Sequence, residues 1–195
     1  MHQLYQDAMT IVRSAGKPDL FITFTCNPSW PEITAELLPG QSPPDRPDLI
    51  TRVFNIKLKE LLHDLLKRQI FGKTVAHIYV IEFQKRGFPH VHMLLILTPE
   101  YKPRTAEDFD RIISAELPDP TLYPLAHDTV RMMMMYRPCS VAAPNAPCMK
   151  NSNCTKHYSH RFNSTTVENL NRYPVYCQHD NEQAVEVKGT LLNNR

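Results

Sequence analysis

Two strand-like segments joined by a short turn constrain this chain more than any other feature. His77 to Lys85 and His90 to Thr98 are rich in apolar, β-branched and aromatic residues, and Arg86-Gly87-Phe88-Pro89 lies between them. A glycine between two such runs is typical of a hairpin turn. The sequence therefore predicts an antiparallel β-hairpin over this region.

The second strand of this hairpin carries two histidines, His90 and His92. Residues two apart in a strand point to the same face, so both imidazoles are expected on one side. If Gln84 pairs with His90, then Glu82 lies opposite His92, with Cβ atoms about 4.5–5.5 Å apart. Two nitrogens and one carboxylate oxygen form a facial set for Mg²⁺ or Mn²⁺ with positions open to a phosphate oxygen. The alternative is a pair of hydrogen-bonded or surface histidines.

Basic residues stand beside this predicted metal site. Lys85 and Arg86 open the turn, where they are expected to hold a DNA backbone; alternatively they only solvate a loop. The net charge of +2 neither demands nor excludes nucleic acid as a partner, since a local basic face is enough to bind phosphates.

The rest of the chain indicates an α+β fold with helices on an antiparallel sheet. After a polar lead-in, Leu20 to Thr25 reads as a strand, and apolar residues recur at three and four positions from Val53 to Leu66, as in a helix. A shorter helix is predicted over Ala106 to Ala115. A boundary is placed near residue 117, which gives a core domain over 1–117 and an irregular, loop-rich Cys/His extension over 118–195.

Two classes of location are disfavoured by composition. No apolar run approaches the roughly 18 residues needed to span a bilayer, so no membrane partner is expected. The N-terminus lacks the pattern of a secretory signal, which indicates an intracellular protein.

The extension holds most of the cysteines. Five cysteines without a signal peptide favour reduced thiols or a metal site over disulfides. The candidate ligands of a structural zinc site are Cys139, Cys148, Cys154, His157 and Cys177. The alternative is a set of small buried thiols and solvent-facing histidines.

Several motifs together resemble one family. The quoted stretches are FITFTCNPSWP at 21–31, IEFQKRGFPHVH at 81–92, Pro147-Cys148-Met149 and Tyr173-Pro174-Val175-Tyr176. They are similar to the N-terminal helicase-like segment of Helitron transposases, over about Gly16 to Asn194. That segment itself resembles the HUH (His-hydrophobic-His) nucleases of rolling-circle replication, and the chain has no phosphate-binding helicase motif.

The resemblance implies a ferredoxin-like sheet with His90 and His92 on a central strand and Glu82 as the third metal ligand. It also implies that the strand with Thr23 and Thr25 lies alongside and contacts DNA. The expected activity is nicking and joining of single-stranded DNA at transposon ends, through a phosphotyrosine intermediate and with a divalent ion. The full-length family carries a C-terminal helicase domain, and its action on a eukaryotic transposon implies the nucleus.

The nucleophile is where the resemblance fails. The family uses two tyrosines a turn apart on a helix, whereas Tyr173 and Tyr176 have Pro174 between them, which argues against a helical pair. The chain is therefore expected to lack its attacking group, as a fragment or a decayed copy, and to be inactive alone. One alternative is a catalytically inactive DNA-binding module derived from a transposon. A metalloprotein unrelated to DNA is another, against which the first motif and the basic hairpin argue.

Overall fold

The chain folds into two compact units in a computed structural model that describes residues 2–85, 87–135, 145–155, 161–168, 174–181, 183–187 and 190–193. The first unit is Met1–Pro103 and the second is Arg104–Arg195. The boundary predicted near residue 117 lies inside the second unit.

The first unit is an α+β structure, as predicted. Its elements are α1 (His2–Ala15), β1 (Leu20–Thr25), α2 (Pro31–Thr34), α3 (Pro47–Leu66), β2 (Thr74–Phe83) and β3 (Pro89–Leu97). The strands form one sheet in the order β1-β3-β2, with β3 antiparallel to both neighbours. Because α3 connects the parallel strands β1 and β2 around β3, the arrangement is a split β-α-β unit. No fourth strand joins this sheet within the described residues, so the full ferredoxin-like topology stays a prediction.

The side chains of the central strand β3 show which face of the sheet packs against helix α3. Val91, Met93 and Leu95 point to one face and are fully buried. Phe24 opposite Val91 shares that face and stacks on Phe54 of α3, with ring centroids 5.3 Å apart. Helix α3 therefore packs on the face that His90 and His92 do not use.

Helix α3 meets the sheet through an apolar stripe. Pro47 stands in its first turn, where its missing N–H needs no partner. The buried residues of the helix recur mostly at three and four positions and are Ile50, Val53, Phe54, Leu58 and Leu65. Each such side chain contributes about 1.5–3 kcal/mol when fully buried, which makes this interface the core of the first unit.

Asp19, immediately before β1, ties the start of β1 to the end of β3 and to the residues that follow it. Its side chain is 13% exposed and accepts hydrogen bonds from the Leu97 N–H at 2.8 Å and from Lys102 Nζ at 2.8 Å. A carboxylate at this depth needs such partners, because an unpaired charge is costly to bury. The residues that follow β3 thus belong to the fold of the first unit.

The hairpin register differs from the predicted one. Glu82 pairs with His90, not with His92, and Gln84 donates its N–H to the Phe88 carbonyl at 2.9 Å. The loop is shorter than expected because Gly87 adopts a φ of 79°, which closes the turn early. Glu82 stays on the face of His90 and His92, since the register changes without changing strand parity.

The second unit consists of short elements. They are α4 (Ala106–Ile112), α5 (Pro124–Thr129), β4 (Met149–Lys150), β5 (Asn153–Cys154), β6 (Val167–Glu168), β7 (Pro174–Val175), β8 (Val185–Val187) and β9 (Thr190–Leu192). Its strands form three two-stranded ladders: β4-β5, β6-β7 and β8-β9. The apolar side chains buried among its described residues are few: Leu117, Cys148, Val185 and Leu192. Among the described residues of 118–195, short elements and loops predominate, in line with the predicted loop-rich character.

None of the helices within the described ranges has the length and apolar character that crossing a bilayer requires.

Candidate metal centre

The two histidines of β3 stand side by side on the face opposite α3. Their ring centroids are 4.5 Å apart, with the ring planes at 75°. Both residues are only partly buried, and the side chain of His92 is 41% exposed. The pair is therefore accessible to a ligand from solvent.

Glu82 of β2 reaches this pair across the strands. Its Oε2 lies 3.2 Å from Nε2 of His92, although the residue directly opposite Glu82 is His90. A diagonal contact of this kind is within reach of long side chains on one sheet face. The Glu82 side chain is 65% exposed, so the pair is a weak source of stability and its carboxylate can turn toward an ion.

Thr25 of β1 fixes the other histidine. Its Oγ1 is hydrogen bonded to Nδ1 of His90 at 2.7 Å, and the two residues are partners in the β1–β3 register. If Nδ1 carries the proton and donates it to Thr25, then Nε2 of His90 has a free lone pair for a metal. Thr25 was predicted as a DNA contact; the structure gives it this hydrogen bond, and the DNA contact stays a prediction.

Phe21 is a neighbour of the site that the sequence reasoning missed. Its ring stacks on His92 with centroids 5.8 Å apart and planes within 10°, and the residue is 64% exposed. The signal was present in the alternation of β1, because Phe21, Thr23 and Thr25 share one face. Thr23 pairs with His92 and is exposed, as the predicted neighbouring strand requires.

The types of ligand atom in this site are those that a divalent metal ion binds. Two imidazoles and one carboxylate meet on one exposed face, and one imidazole already has the outer hydrogen bond common among metal-bound histidines. Glu82, His90 and His92 do not bring three ligand atoms within 4.8 Å of one another. Among the described residues, the group that does so is Glu116, Cys177 and His179, in the second unit.

Of the two basic residues predicted to contact DNA, the structure describes one. Lys85 lies in the turn and is exposed, so its side chain is available to a phosphate. Arg86 lies outside the described residues.

The two candidate tyrosines belong to the second unit. Tyr173 lies outside the described residues. Tyr176 follows β7 and is half-buried, and burial raises the pKa of its phenol. A raised pKa makes the phenolate, the attacking form, harder to reach.

The predicted zinc ligands are only partly described. Cys139 and His157 lie outside the described residues. Cys148 is buried before β4, and Cys154 in β5 pairs with Met149. Cys177 has Glu116 and His179 as neighbours that can bind a metal, and Glu116 is not among the predicted ligands.

Burial and the nearby Glu116 carboxylate raise the pKa of the Cys177 thiol. The thiol is therefore held in its neutral form, the state it keeps until a cation or a base takes its proton.

Comparison with known proteins gives a family match over the region that contains His90 and His92. Residues 1–95 match the family described as the Helitron helicase-like domain at the N-terminus. No curated protein matches the chain. The matched region contains β1, α3, β2 and the histidines of β3. Residues 1–95, slightly under half of the chain, are therefore similar to the Helitron helicase-like N-terminal domain.

Proposed function

We propose that the first unit is the metal- and DNA-binding part of a Helitron-type nicking and strand-transfer domain. The observation that carries the proposal is the exposed sheet face on which Glu82 and His92 touch and Thr25 anchors His90. A face with two imidazoles and a carboxylate open to solvent is suited to a ligand more than to stability.

The ligands proposed for the ion are Glu82, His90 and His92. In an octahedral site with metal–ligand distances near 2.1 Å, adjacent ligand atoms are about 3.0 Å apart. The 3.2 Å between Glu82 Oε2 and His92 Nε2 is close to that spacing, so these two need little movement. His90 would contribute Nε2, and its side chain must move closer to the other two ligands to do so, because the three ligand atoms do not lie within 4.8 Å of one another. When bound, the ion supplies Lewis acidity toward a phosphate oxygen.

Single-stranded DNA is the proposed substrate, and the face offers two kinds of contact for it. Lys85 in the turn provides a cation for a phosphate. The exposed ring of Phe21 provides a surface on which an unpaired base can stack, and such contacts are worth about 1–3 kcal/mol per base. Thr23 between them adds a hydroxyl that can donate to a phosphate.

The attacking group is not assigned to this unit. No helix within the described ranges carries two tyrosines a turn apart, and Tyr176 is half-buried. We therefore propose that this segment binds the ion and the strand and does not by itself form a phosphotyrosine bond. In the full-length family the partner is a helicase domain, and the proposed place of action is the nucleus.

A labelled single-stranded oligonucleotide tests the proposal. DNA binding is expected to strengthen about 10-fold, equivalent to about 1.4 kcal/mol, with Mn²⁺ relative to chelator, because the bound ion would contact a phosphate oxygen directly. The His90→Ala/His92→Ala variant should lose the Mn²⁺ effect, and His63→Ala, an exposed histidine of α3, should keep it. A covalent adduct on a denaturing gel would show that the segment does hold a nucleophile.

The second candidate is a catalytically inactive DNA-binding module, favoured by the same lack of a helical tyrosine pair among the described residues. It predicts equal DNA affinity with Mn²⁺ and with chelator. That result in the same experiment would replace the metal-dependent proposal with this one.

A further inference from the structure

Three side chains that commonly bind zinc converge in the second unit. Cys177 Sγ lies 3.4 Å from Nδ1 of His179 and 3.9 Å from Oε1 of Glu116. The third separation, from His179 Nδ1 to Glu116 Oε1, is 2.8 Å. Sulfur, nitrogen and oxygen donors therefore surround one point, and the cluster is distinct from the Glu82, His90 and His92 face.

These separations resemble those of ligands on a tetrahedral zinc ion. Zinc bound at its usual distances to sulfur, nitrogen and oxygen places the ligand atoms about 3.4–3.6 Å from one another. Two of the three separations are within a few tenths of an ångström of that range. The third is a hydrogen-bond length, so His179 and Glu116 must separate slightly when an ion replaces the shared proton.

The backbone that carries Cys177 and His179 is held in place before any ion binds. The Cys177 N–H donates to Oγ1 of Thr166 at 2.8 Å, and Thr166 is 5% exposed and donates to Asp110 of α4. The next residue, Gln178, exchanges two backbone hydrogen bonds with Asn163. Preorganised ligands of this kind lower the cost of binding a metal.

Glu116 is held by the same segment. The His179 N–H donates to its Oε1 at 2.7 Å, and Asn181 Nδ2 donates to Oε2 at 3.4 Å. Two positions 61 residues apart in the chain, Glu116 and Cys177, are thereby joined. Because the described residues of this unit include few buried apolar side chains, a metal cross-link is an effective source of stability.

We propose that Glu116, Cys177 and His179 bind Zn²⁺ as a cross-link of the second unit, with a water molecule as the fourth ligand. The thiolate selects zinc or cobalt over magnesium or manganese, so this site differs in metal from the one on the sheet. The inference does not rest on the proposed function, because the two sites share no residue.

The test uses the full chain with His90→Ala and His92→Ala, which removes the other candidate site. After treatment with chelator, the protein is titrated with Co²⁺ and then with Zn²⁺. A sulfur-to-cobalt charge-transfer absorption is expected, and Zn²⁺ should displace it. Adding Cys177→Ser should abolish the absorption, and adding His179→Gln should weaken Zn²⁺ binding at least about 100-fold.

Matched controls are His63→Gln and Glu186→Gln, whose exposed side chains lie outside the cluster and should leave binding unchanged. Retention of the absorption in the Cys177→Ser variant would overturn the proposal. So would its loss in a Cys139→Ser/Cys154→Ser variant with Cys177 intact, because that result assigns the sulfur elsewhere.

A measurement without ligand variants guards against misfolding. In the unmodified chain, saturating Zn²⁺ should protect Cys177 from maleimide, as read by peptide mass spectrometry, and chelator should restore its labelling. Full labelling of Cys177 at saturating Zn²⁺ would contradict the proposal.

Discussion

At the scale of single residues, the hydrogen bond between Thr25 and His90 links the two conspicuous motifs of the sequence. The motif of β1 supplies the hydroxyl and the motif of β3 supplies the imidazole, 2.7 Å apart. A histidine whose Nδ1 is engaged presents Nε2 in a fixed direction. In the proposed metal site, the threonine would therefore act through His90 and not as a ligand itself.

Replacing Thr25 with valine should weaken Mn²⁺ binding about 10-fold, because valine keeps the shape but loses the hydroxyl that orients His90. Thr25→Ser should retain near-normal affinity. Isothermal titration calorimetry measures both. An unchanged affinity in Thr25→Val would show that the hydrogen bond does not orient a metal ligand.

A second residue-scale prediction concerns Thr105, the N-cap of α4. Its hydroxyl accepts from the Asp108 N–H, and the Asp108 carboxylate accepts from the Thr105 N–H. Thr105→Ala should cost about 1 kcal/mol, which lowers hydrogen-exchange protection of the α4 amides about fivefold. Thr51→Ala, on the exposed surface of α3, should not reduce protection in α4.

The Asp108 carboxylate makes the same cap sensitive to acid. Hydrogen bonds from the backbone N–H groups of Arg104 and Thr105 lower the Asp108 pKa to about 2. Its stabilising effect is complete above the ordinary pKa of 3.8 and is lost as the pH falls through about 2. Compared with Asp108→Asn, the unmodified chain should therefore lose α4 protection over this interval. Parallel pH profiles for the two proteins would contradict the assignment.

At the scale of elements, the hairpin shows how far the sequence could predict the site. Strand alternation fixed the common face of Glu82, His90 and His92, because side chains repeat every two residues. It could not fix the register, which depends on the backbone conformation at Gly87. Helix α1 is not evident from the sequence, because its polar residues resemble an irregular lead-in. Phe21 carries no ligand atom, so a pattern of metal-binding and basic side chains does not point to it.

Substitutions at Gly87 therefore test how much the positive φ of this residue contributes to the stability of the turn. A Cβ there meets no atom within 4 Å, so Gly87→Ala changes only the cost of the φ of 79°. The expected loss is about 1 kcal/mol in the free energy of unfolding, measured in urea. Gly87→Asn should cost less, since asparagine tolerates this conformation. Equal losses for alanine and asparagine would indicate another cause.

At the scale of the whole molecule, the family match and the folded unit do not end at the same residue. The match covers residues 1–95, whereas the first unit extends to Pro103. The eight residues between include the fully buried Ile96 and Leu97 and the Lys102 partner of Asp19. The meeting of Glu116 with Cys177 and His179 could not be predicted from sequence, because it depends on a pairing between distant segments.

A fragment of residues 1–103 should fold and bind Mn²⁺ like the full chain, whereas a fragment of residues 1–95 should not fold. Without Lys102 and the Leu97 N–H, the nearly buried Asp19 carboxylate loses its partners, and such losses commonly cost 3–5 kcal/mol. Circular dichroism and urea unfolding distinguish the two fragments. Cooperative unfolding of the shorter fragment at the same midpoint would contradict this assignment.

The central position of β3 has a thermodynamic consequence. The three proposed ligands lie on one hairpin, but Thr25, which is hydrogen bonded to His90, comes from β1 before α3, so the complete arrangement forms only when β1 has paired with β3. An unfolded chain has no such site, and any ion that binds the folded one must shift the folding equilibrium. At a concentration 100 times its dissociation constant, the ion adds about 2.7 kcal/mol to stability. A thermal melt recorded against metal concentration thus reports affinity and correct assembly of the sheet in one experiment.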